Sequence, residues 1–318
     1  MSYSESPSDP LGPLNPGDVV SAALRLYRDR AKVYLQLSAL ATLWIFAGIS
    51  GMATVILLLA AGLGVLGGGA GLTLLGALLG ALVGLVILFY GIAKYILISS
   101  AIGRLAFSDL VNRPETSLAV RQALSPKLGQ FLSLGFLLTL AFMAAYIVSV
   151  MVAGLVGFGS GLVVGGLLGA LTNTAVGSIA GVMLGTILGV AVFALGLIWI
   201  VSHLFIPEVV LAVEANQDAG SSLSRSWELT QKSIGRIQIV FLATFLIQLP
   251  VMSITNYLPS LIFAFLPSTT TMFVISQGLG LLLSLAGSIV LLPLWQAVKG
   301  VLYYDLRSRR EGLDLEMR

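Results

Sequence analysis

Residues with reactive side chains are few in this chain. His203 is the one histidine, and cysteine is absent. A zinc site takes several Cys, His or carboxylate ligands, so this composition argues against a zinc centre. Ser108, Asp109 and His203 do not have the spacing of a recognisable catalytic triad. We therefore predict no catalytic residue, no cofactor and no metal site, and we interpret His203 as structural.

The glycine-rich segment Gly62–Gly71, GLGVLGGGAG, has the composition of a phosphate-binding loop but not its chemistry. Phosphate loops of nucleotide-binding proteins end in Lys followed by Ser or Thr, which places an ammonium and a hydroxyl at the phosphates. This segment has neither residue at its end and lies in an uncharged part of the chain. It predicts a turn between two helices rather than a nucleotide site.

The elements that position these residues are helices of membrane-spanning length. Hydrophobic residues make up 57% of the chain and charged residues 10%, whereas a typical soluble chain is about 25% charged. Charged residues are absent from three runs, Val33–Ala93, Leu128–Pro207 and Ile237–Val298. Each run fits two passes of about 20 apolar residues. The sequence predicts an all-α integral membrane protein with about six transmembrane helices as three hairpins, with a re-entrant or extra helix in 159–180 as an alternative.

An even number of passes places both termini and every charged segment on one side of the membrane. Because Lys and Arg are retained on the cytosolic side, that side is predicted to be cytosolic. The net charge of +3 has the same explanation, so we predict no binding of nucleic acid. The expected location is the bacterial plasma (inner) membrane, and an internal photosynthetic membrane is the alternative.

One domain is predicted to hold almost the whole chain. Residues 1–15 are polar and rich in proline, which predicts a disordered cytosolic leader. Residues 16–318 are predicted to form a single helical membrane domain that ends in a basic tail at 299–318. Three internal repeats are expected within it, at about 16–110, 111–215 and 216–305.

Each hairpin is predicted to follow a cytosolic amphipathic helix that lies in the membrane interface. The clearest is the segment Ser221–Arg236, whose charged residues recur at helical spacing on the face opposite Trp227. A charged face needs water and an apolar face does not, so such a helix lies along the membrane surface. The predicted membrane-interface and packing residues are Arg25, Arg28, Lys32, Arg121, Arg225, Trp227, Lys232 and Arg236.

A small residue recurs at positions i, i+4 and i+8 in the second helix of each predicted hairpin. Small residues let helices approach closely in lipid, where the hydrophobic effect does not drive their association. The sequence therefore predicts close helix packing at Gly76, Gly80 and Gly84, at Gly181, Gly185 and Gly189, and at Gly280, Ser284 and Ser288.

The carboxylates of the cytosolic segments have basic neighbours in sequence, which favours ion pairs over catalysis. We expect Glu208 or Glu214 to pair with an arginine of the basic tail or of the interfacial helices, at about 4 Å. The predicted participants in cytosolic ion pairs are Glu208, Glu214, Asp305, Arg307 and Arg310.

Two segments carry a resemblance to a known family. They are IPEVVLAVE followed by SSLSRSWELTQKS, and VLYYDLRSRREGLDLE near the C-terminus. Both resemble the bacterial multi-pass membrane-domain family named after the membrane region of some glycerophosphoryl diester phosphodiesterases. The resemblance implies a stand-alone member without the catalytic domain, because the phosphodiesterase chemistry belongs to a separate soluble barrel. The matching positions are Glu214, Arg225, Ser226, Trp227, Asp305, Arg307, Arg310 and Glu311.

These observations lead to three hypotheses about function. The first is a non-enzymatic scaffold, assembly factor or accessory subunit of a membrane complex, favoured by the lack of reactive residues and by the small-residue faces. The alternative is binding or movement of lipid, and the third is a small-solute transporter or channel, which the absence of charge from the spanning segments disfavours. The expected partners are membrane lipids, and other integral membrane proteins or further copies of the chain.

Overall fold

The computed structural model describes residues 14–67, 69–265 and 269–312, and within these ranges every regular element is helical. Residues 1–13 of the predicted leader and 313–318 of the predicted tail lie outside the described residues. The α-helices are α1 (Pro16–Asp29), α2 (Ala31–Gly67), α3 (Ala70–Leu110), α4 (Ser117–Leu124), α5 (Leu128–Leu171), α6 (Thr174–His203), α7 (Pro207–Val213), α8 (Ala219–Thr230), α9 (Ile234–Met252), α10 (Leu258–Ala264) and α11 (Thr270–Glu311). A 3-10 turn, Ser125–Lys127, precedes α5, and a π-helical turn, Ser253–Tyr257, separates α9 from α10.

Six helical stretches are long and apolar enough to cross a membrane. They are Ala31–Gly67, Ala70–Leu110, Ser117–Leu171, Thr174–Val213, Ile234–Ala264 and Thr270–Glu311. The chain is therefore an all-helical membrane protein with six candidate spans, as its charge-free runs predict.

The connections between spans are shorter than the sequence suggests. Helix α2 continues through the glycine-rich segment to Gly67, and α3 begins at Ala70. Helix α5 continues to Leu171 and α6 begins at Thr174, so the alternative of a re-entrant or extra helix in 159–180 is wrong. In lipid, backbone outside a helix leaves N–H and C=O groups unpaired, so the helices extend almost to the turn even through glycine.

Glycine brings α3 against α2, and α6 against α5, at backbone distance. A Cβ added to Gly80 would lie 2.7 Å from the Cα of Ile56, well inside van der Waals contact. Gly181 lies against the backbone of Gly161 and Gly165, so glycines face each other across the α5–α6 contact. The other predicted packing glycines in these two contacts are Gly76, Gly84, Gly185 and Gly189.

The predicted basic tail is, as far as Gly312, the C-terminal end of α11 rather than a separate segment. Most side chains from Leu294 to Ser308 are buried, including Tyr303. The helix ends at Glu311 because Gly312 has φ 66°, a left-handed conformation that glycine adopts without a steric penalty. The basic residues alternate here with buried apolar ones, so this part of α11 belongs to the protein core.

That core lies at the charged end of the bundle, around the short helix α7. Every residue from Pro207 to Ala212 is buried. Lys127 donates to the carbonyl oxygen of Leu211 at 3.0 Å, and Arg104 donates to that of Ala212 at 2.9 Å. Cations at a helix C-terminus pair with carbonyls that have no partner within the helix. Helix α7 is thereby fixed inside the bundle, with its first turn directed toward α11.

Candidate functional site: a polar cavity beside helix α11

A large cavity lies between α9 and α11 and extends to α2, α3 and α7. Its volume is about 930 Å³, which is in the upper part of the range for small-molecule pockets. Its walls combine apolar and polar side chains. The polar ones contributed by α9, the π-helical turn and α11 are Gln248, Asn256, Ser284, Ser288, Gln296 and Lys299.

The predicted packing triplet of α11 lines open space instead of a close helix contact. A Cβ added to Gly280 would meet nothing within 4 Å, and Ser284 and Ser288 line the cavity. The tight glycine contacts of this helix are at Gly287, against the side chain of Thr255, and at Gly300, against the backbone of Gly103 on α3. The prediction of close packing at the triplet is therefore wrong, because the facing helix has no glycine at this level and the serine hydroxyls form a polar stripe.

A second cavity, of about 540 Å³, continues toward the Thr270 end of α11. Asn256 lines both cavities, so the π-helical turn lies between them. Ser276 contributes to the wall of the second cavity. The helix from Ser276 to Lys299 extends over about 35 Å at 1.5 Å per residue. Polar side chains therefore occur along α11 over a length close to the roughly 30 Å of a bilayer's hydrocarbon core.

The cavity forms beside an interruption in α9. Pro250 cannot donate a backbone hydrogen bond, and its ring crowds the preceding turn. The N–H of Ser253 is then shared between the carbonyls of Leu249 and Pro250, and the backbone continues as the π-helical turn. A helix interrupted in this way does not offer α11 a continuous packing surface. Such π-helical turns frequently occur at functional sites.

An ion pair occupies the α7 end of the cavity. The Lys299 ammonium donates to Oε1 of Glu208 at 2.7 Å, and the Gln296 amide donates to the same oxygen at 2.8 Å. Glu208 is 9% exposed. The Lys299 Nζ also lies 5.3 Å from the centre of the Phe205 ring, within the range of a cation–π interaction.

Two aromatic residues add polar groups to the cavity wall. The Trp295 indole N–H donates to Oε1 of Gln248 at 2.7 Å and so links α11 to α9. Tyr95 lines the cavity from α3, and its hydroxyl forms no hydrogen bond with any residue in the described part of the chain. The wall therefore contains one satisfied polar link and one hydroxyl that is available to a ligand.

Sequence reasoning did not find this site. The sequence predicts Glu208 as an ion-pair residue and Lys299 as the first residue of a basic tail, but it does not pair them, because they are 91 residues apart. Both residues lie in helices long enough to cross a membrane, directly beyond the ends of the charge-free runs Leu128–Pro207 and Ile237–Val298. One signal is present in the sequence: Gly280, Ser284 and Ser288 follow one another at intervals of four residues and so share one face of α11.

Outside the cavity, Asp305 forms the most deeply buried charge cluster. Its carboxylate is inaccessible and accepts from the backbone N–H of Leu14 at 2.7 Å, from Arg236 at 3.1 Å and from Arg309 at 3.1 Å. Both arginines also donate to the carbonyl oxygen of Leu14. Burial of a carboxylate requires such partners, because an uncompensated buried charge costs several kcal/mol. The cluster joins the segment before α1 to α9 and α11.

Glu214 forms a second cluster on the same face. Its Oε1 lies 3.4 Å from Nε of Arg225, which also contacts Glu311. Glu311 in turn pairs with Arg307 at 2.7 Å. The structure thus brings together Glu214 and an arginine of a predicted interfacial helix. Arg310, by contrast, forms no ion pair with any residue in the ranges that the structure describes.

The segment Ser221–Arg236, predicted as one interfacial helix, consists of two. Helix α8 ends at Thr230, so Lys232 lies in the turn that follows and Arg236 lies on α9. The Thr230 carbonyl accepts the N–H of Ser233 at 2.8 Å, which closes this turn where a single helix would continue. The prediction of one continuous charged face is therefore wrong, and Arg225 and Arg236 serve different clusters.

Trp227 packs on the end of α6. Its ring stacks on that of His203, with centres 3.9 Å apart and an interplanar angle of 14°. The Ser226 hydroxyl donates to the His203 carbonyl at 2.7 Å, and Nδ1 of His203 lies 3.0 Å from the Thr230 hydroxyl. These contacts attach α8 to α6 and give His203 a structural role.

The predicted interface cations differ in exposure. Arg225 and Arg236 have side chains only 23% and 21% exposed, because they enter the ion pairs above. The predicted interface cations that are exposed are Arg25, Arg28, Lys32, Arg121 and Lys232. Of these, Arg28 alone has an ion pair among the described residues, with the equally exposed Asp29. Such surface cations are suited to contact with anionic lipid headgroups.

The described residues contain no group of three or more His, Asp or Glu side chains that could hold a metal ion. Compared with protein-family models, with curated proteins and with solved structures, the chain matches nothing. Its function is therefore inferred from the geometry of its own cavities and charges.

Proposed function

We propose that this protein binds an amphiphilic membrane molecule, a lipid, in the cavity beside α11, and that it does so without catalysing a reaction. The observation that carries the proposal is the composition of one cavity of about 930 Å³. Its α7 end holds the Glu208–Lys299 ion pair, whereas Met252, Leu285 and Leu292 provide apolar wall along its length. A lipid has the same division between a polar headgroup and apolar chains.

Movement of lipid across the membrane is the extension of this proposal. A headgroup that crosses hydrocarbon needs polar partners along its path, because burying an unpaired polar group is costly. The two cavities on either side of Asn256 provide such groups over most of the length of α11. This succession of polar side chains favours lipid movement over static binding.

The finer topology is proposed with it. We infer three hairpins, preceded by α1, α4 and α8 as interfacial helices, with both termini on the cytosolic side of a bacterial plasma membrane. The absence of charge from the far ends of the spans and the positive-inside rule support this orientation. Membership in the phosphodiesterase-associated membrane-domain family is likewise a proposal, and it rests on the segments around Trp227 and Asp305.

Native mass spectrometry of the protein purified in mild detergent tests lipid binding. Ser284→Phe should fill the cavity and abolish the retained lipid, because Ser284 lies in its wall. Leu282→Phe is the matched control on the same helix, at a side chain that is 64% exposed outside the cavity. The control should retain as much lipid as the unmodified protein.

Equal lipid retention by the two variants would contradict the proposal. So would a monodisperse, stable unmodified protein that retains no lipid under conditions that preserve bound lipids. A thermal unfolding midpoint for each variant shows that any lipid loss is not a loss of fold.

A scaffold or accessory-subunit function is the second candidate. It is favoured by the C-terminal half of α5, where Leu155, Phe158 and Leu171 are more than 70% exposed and could contact another membrane protein. It loses one of its supports, because the glycine faces expected to dock a partner are used within the chain. Reproducible co-purification of one integral membrane protein, reduced by Phe158→Ala, would support it over lipid binding.

A further inference from the structure

The charged end of the cavity leaves two acceptors and two donors unoccupied, and one of the acceptors is the buried Oε1 of Gln296, which has no partner in the described residues. Glu208 accepts both of its hydrogen bonds on Oε1, and no described residue donates to Oε2. The Lys299 ammonium contacts one carboxylate oxygen, which leaves N–H groups available. The Tyr95 hydroxyl in the same wall has no partner in the described part of the chain.

The central carboxylates of the two charge clusters, Asp305 and Glu214, differ in this respect. Asp305 accepts hydrogen bonds on both oxygens, and so does Glu214, whose Oε2 takes the side-chain amide of Gln217 at 2.8 Å. Both oxygens of Asp305 and of Glu214 therefore have partners within the protein, as expected of structural ion pairs. In Glu208 only Oε1 has partners, and Glu208 lines the cavity.

We propose that the headgroup bound here is zwitterionic and carries a phosphate and a primary ammonium group, as in an ethanolamine phospholipid. This rests on the proposed lipid binding. The phosphate oxygens accept from Lys299 and Tyr95, and the ammonium donates to Oε2 of Glu208. One carboxylate and one ammonium give the site no net charge, so a net anionic headgroup would leave a charge uncompensated in a poorly hydrated place.

A quaternary ammonium fits this site less well. It has no N–H to donate, so Oε2 of Glu208 would stay unpaired. Quaternary groups are usually held in open aromatic cages. The aromatic rings here, Phe205, Phe241 and Trp295, pack on one another with centres 5.0–6.0 Å apart, and Lys299 already lies over Phe205.

The experiment is competition for the cavity in the full-length protein, followed by native mass spectrometry. The competitors are phosphatidylethanolamine, phosphatidylglycerol, phosphatidylcholine and free phosphoethanolamine at matched concentrations. We expect phosphatidylethanolamine to bind at least tenfold more tightly than the other two lipids, and free phosphoethanolamine to compete poorly because it does not contact the apolar wall.

Two variants assign this preference to named groups. Glu208→Gln removes the charge that pairs with the ammonium and should bring the preference below threefold. Tyr95→Phe should weaken the binding of phosphatidylethanolamine severalfold. The thermal unfolding midpoint should not change, because the Tyr95 hydroxyl has no partner within the described residues. If Glu208→Gln does not fold, Tyr95→Phe decides, and unchanged binding in that variant would overturn the assignment of the phosphate.

The outcomes separate this inference from the proposed function. Equal binding of the three lipids, or an unchanged preference in Glu208→Gln, overturns the zwitterionic headgroup, while loss of lipid in Ser284→Phe alone would still support lipid binding. Displacement by free phosphoethanolamine at equal concentration supports the headgroup chemistry and overturns a lipid as its source. Absence of any bound lipid in the unmodified protein overturns both.

Discussion

Helices α5 and α6 touch along a line of glycines, whereas α9 and α11 stand apart around a cavity. In the first pair, Gly161 on α5 faces Gly181 on α6, and neither backbone is kept away by a side chain. In the second pair, Ser284 and Ser288 of α11 face a helix that is interrupted after Pro250. The second pair is connected by side chains at separate points rather than by continuous backbone contact.

The difference shows that small-residue spacing on one helix does not by itself produce close packing. Helix α5 has glycines that match those of α6, so both backbones can approach. Helix α9 has one glycine, Gly235, at its beginning and none where α11 carries its small residues. The same i, i+4 pattern therefore forms a close contact in one pair and the lining of a cavity in the other.

The largest expected effect comes from breaking the side-chain link between the beginning of α9 and the C-terminal end of α11. Asp305→Asn removes the buried charge that pairs Arg236 on α9 with α11. Breaking a buried ion pair leaves uncompensated charge, and we expect a loss of about 3 kcal/mol in the free energy of unfolding. Thermal or denaturant unfolding in detergent measures it.

Asp29→Asn is the control for this substitution. Its ion pair with Arg28 is exposed on both sides, so its removal should have little effect on the unfolding midpoint. Similar midpoints for Asp305→Asn and Asp29→Asn would mean that the Asp305 cluster does not hold the two helices together.

A matched pair of glycine substitutions compares the two helix contacts directly. Gly181→Ala places a Cβ against the carbonyl oxygen of Gly161, which belongs to the backbone and cannot move aside. Overpacking of this kind costs about 1–3 kcal/mol. Gly280→Ala meets nothing within 4 Å and should be neutral or slightly stabilising, because alanine favours helix more than glycine. Equal unfolding midpoints for the two variants would contradict the conclusion that Gly181 is closely packed and Gly280 is not.

The sequence was sufficient for the number and type of the spans, because the cost of charge in lipid determines where charged residues occur. It was also sufficient for the glycine contacts on α3 and α6. The sequence of α11 alone could not show that its small-residue triplet is not closely packed. Packing at Gly280 depends on which residues the facing helix carries, and that helix lies elsewhere in the chain. The division of Ser221–Arg236 into α8 and α9 likewise depends on tertiary partners, since Arg236 turns to Asp305.

The candidate site was harder to predict for the same reason. Glu208 and Lys299 each lie at the border of a charge-free run, where a charged residue is ordinarily a sign of the membrane surface. Only the fold shows that α7 turns back into the bundle and brings Glu208 to α11. Helix periodicity alone indicates the polar stripe on α11 but not its partner.

A smaller effect is expected where α9 and α11 are joined across the cavity. Gln248→Leu leaves the Trp295 indole N–H without its acceptor. Hydrogen bonds between membrane helices contribute about 0.6 kcal/mol on average, so the loss should be close to this value. Gln277→Leu is the control, because Gln277 lines the second cavity and has no hydrogen-bond partner in the described residues. Equal free energies of unfolding for the two variants would mean that the hydrogen bond between Trp295 and Gln248 does not stabilise the fold.

The smallest expected effect is a pH dependence on the α5–α6 side, at the beginning of α8. Asp218 accepts the backbone N–H of Ser221 at 2.7 Å, and this hydrogen bond holds the pKa of Asp218 below its ordinary value of 3.8. The carboxylate therefore stabilises the fold above its unfolded pKa, and this contribution is lost as pH falls through the lower, folded pKa. Since α8 attaches to α6 through Trp227, acid should loosen that attachment.

Asp218→Asn keeps a capping side chain without a titrating group, so its midpoint should fall less between pH 6 and about pH 3 than that of the unmodified protein. Thr269→Ala, which removes the cap of α11, should lower the midpoint equally at both pH values; identical pH profiles for all three proteins would exclude Asp218 as the source.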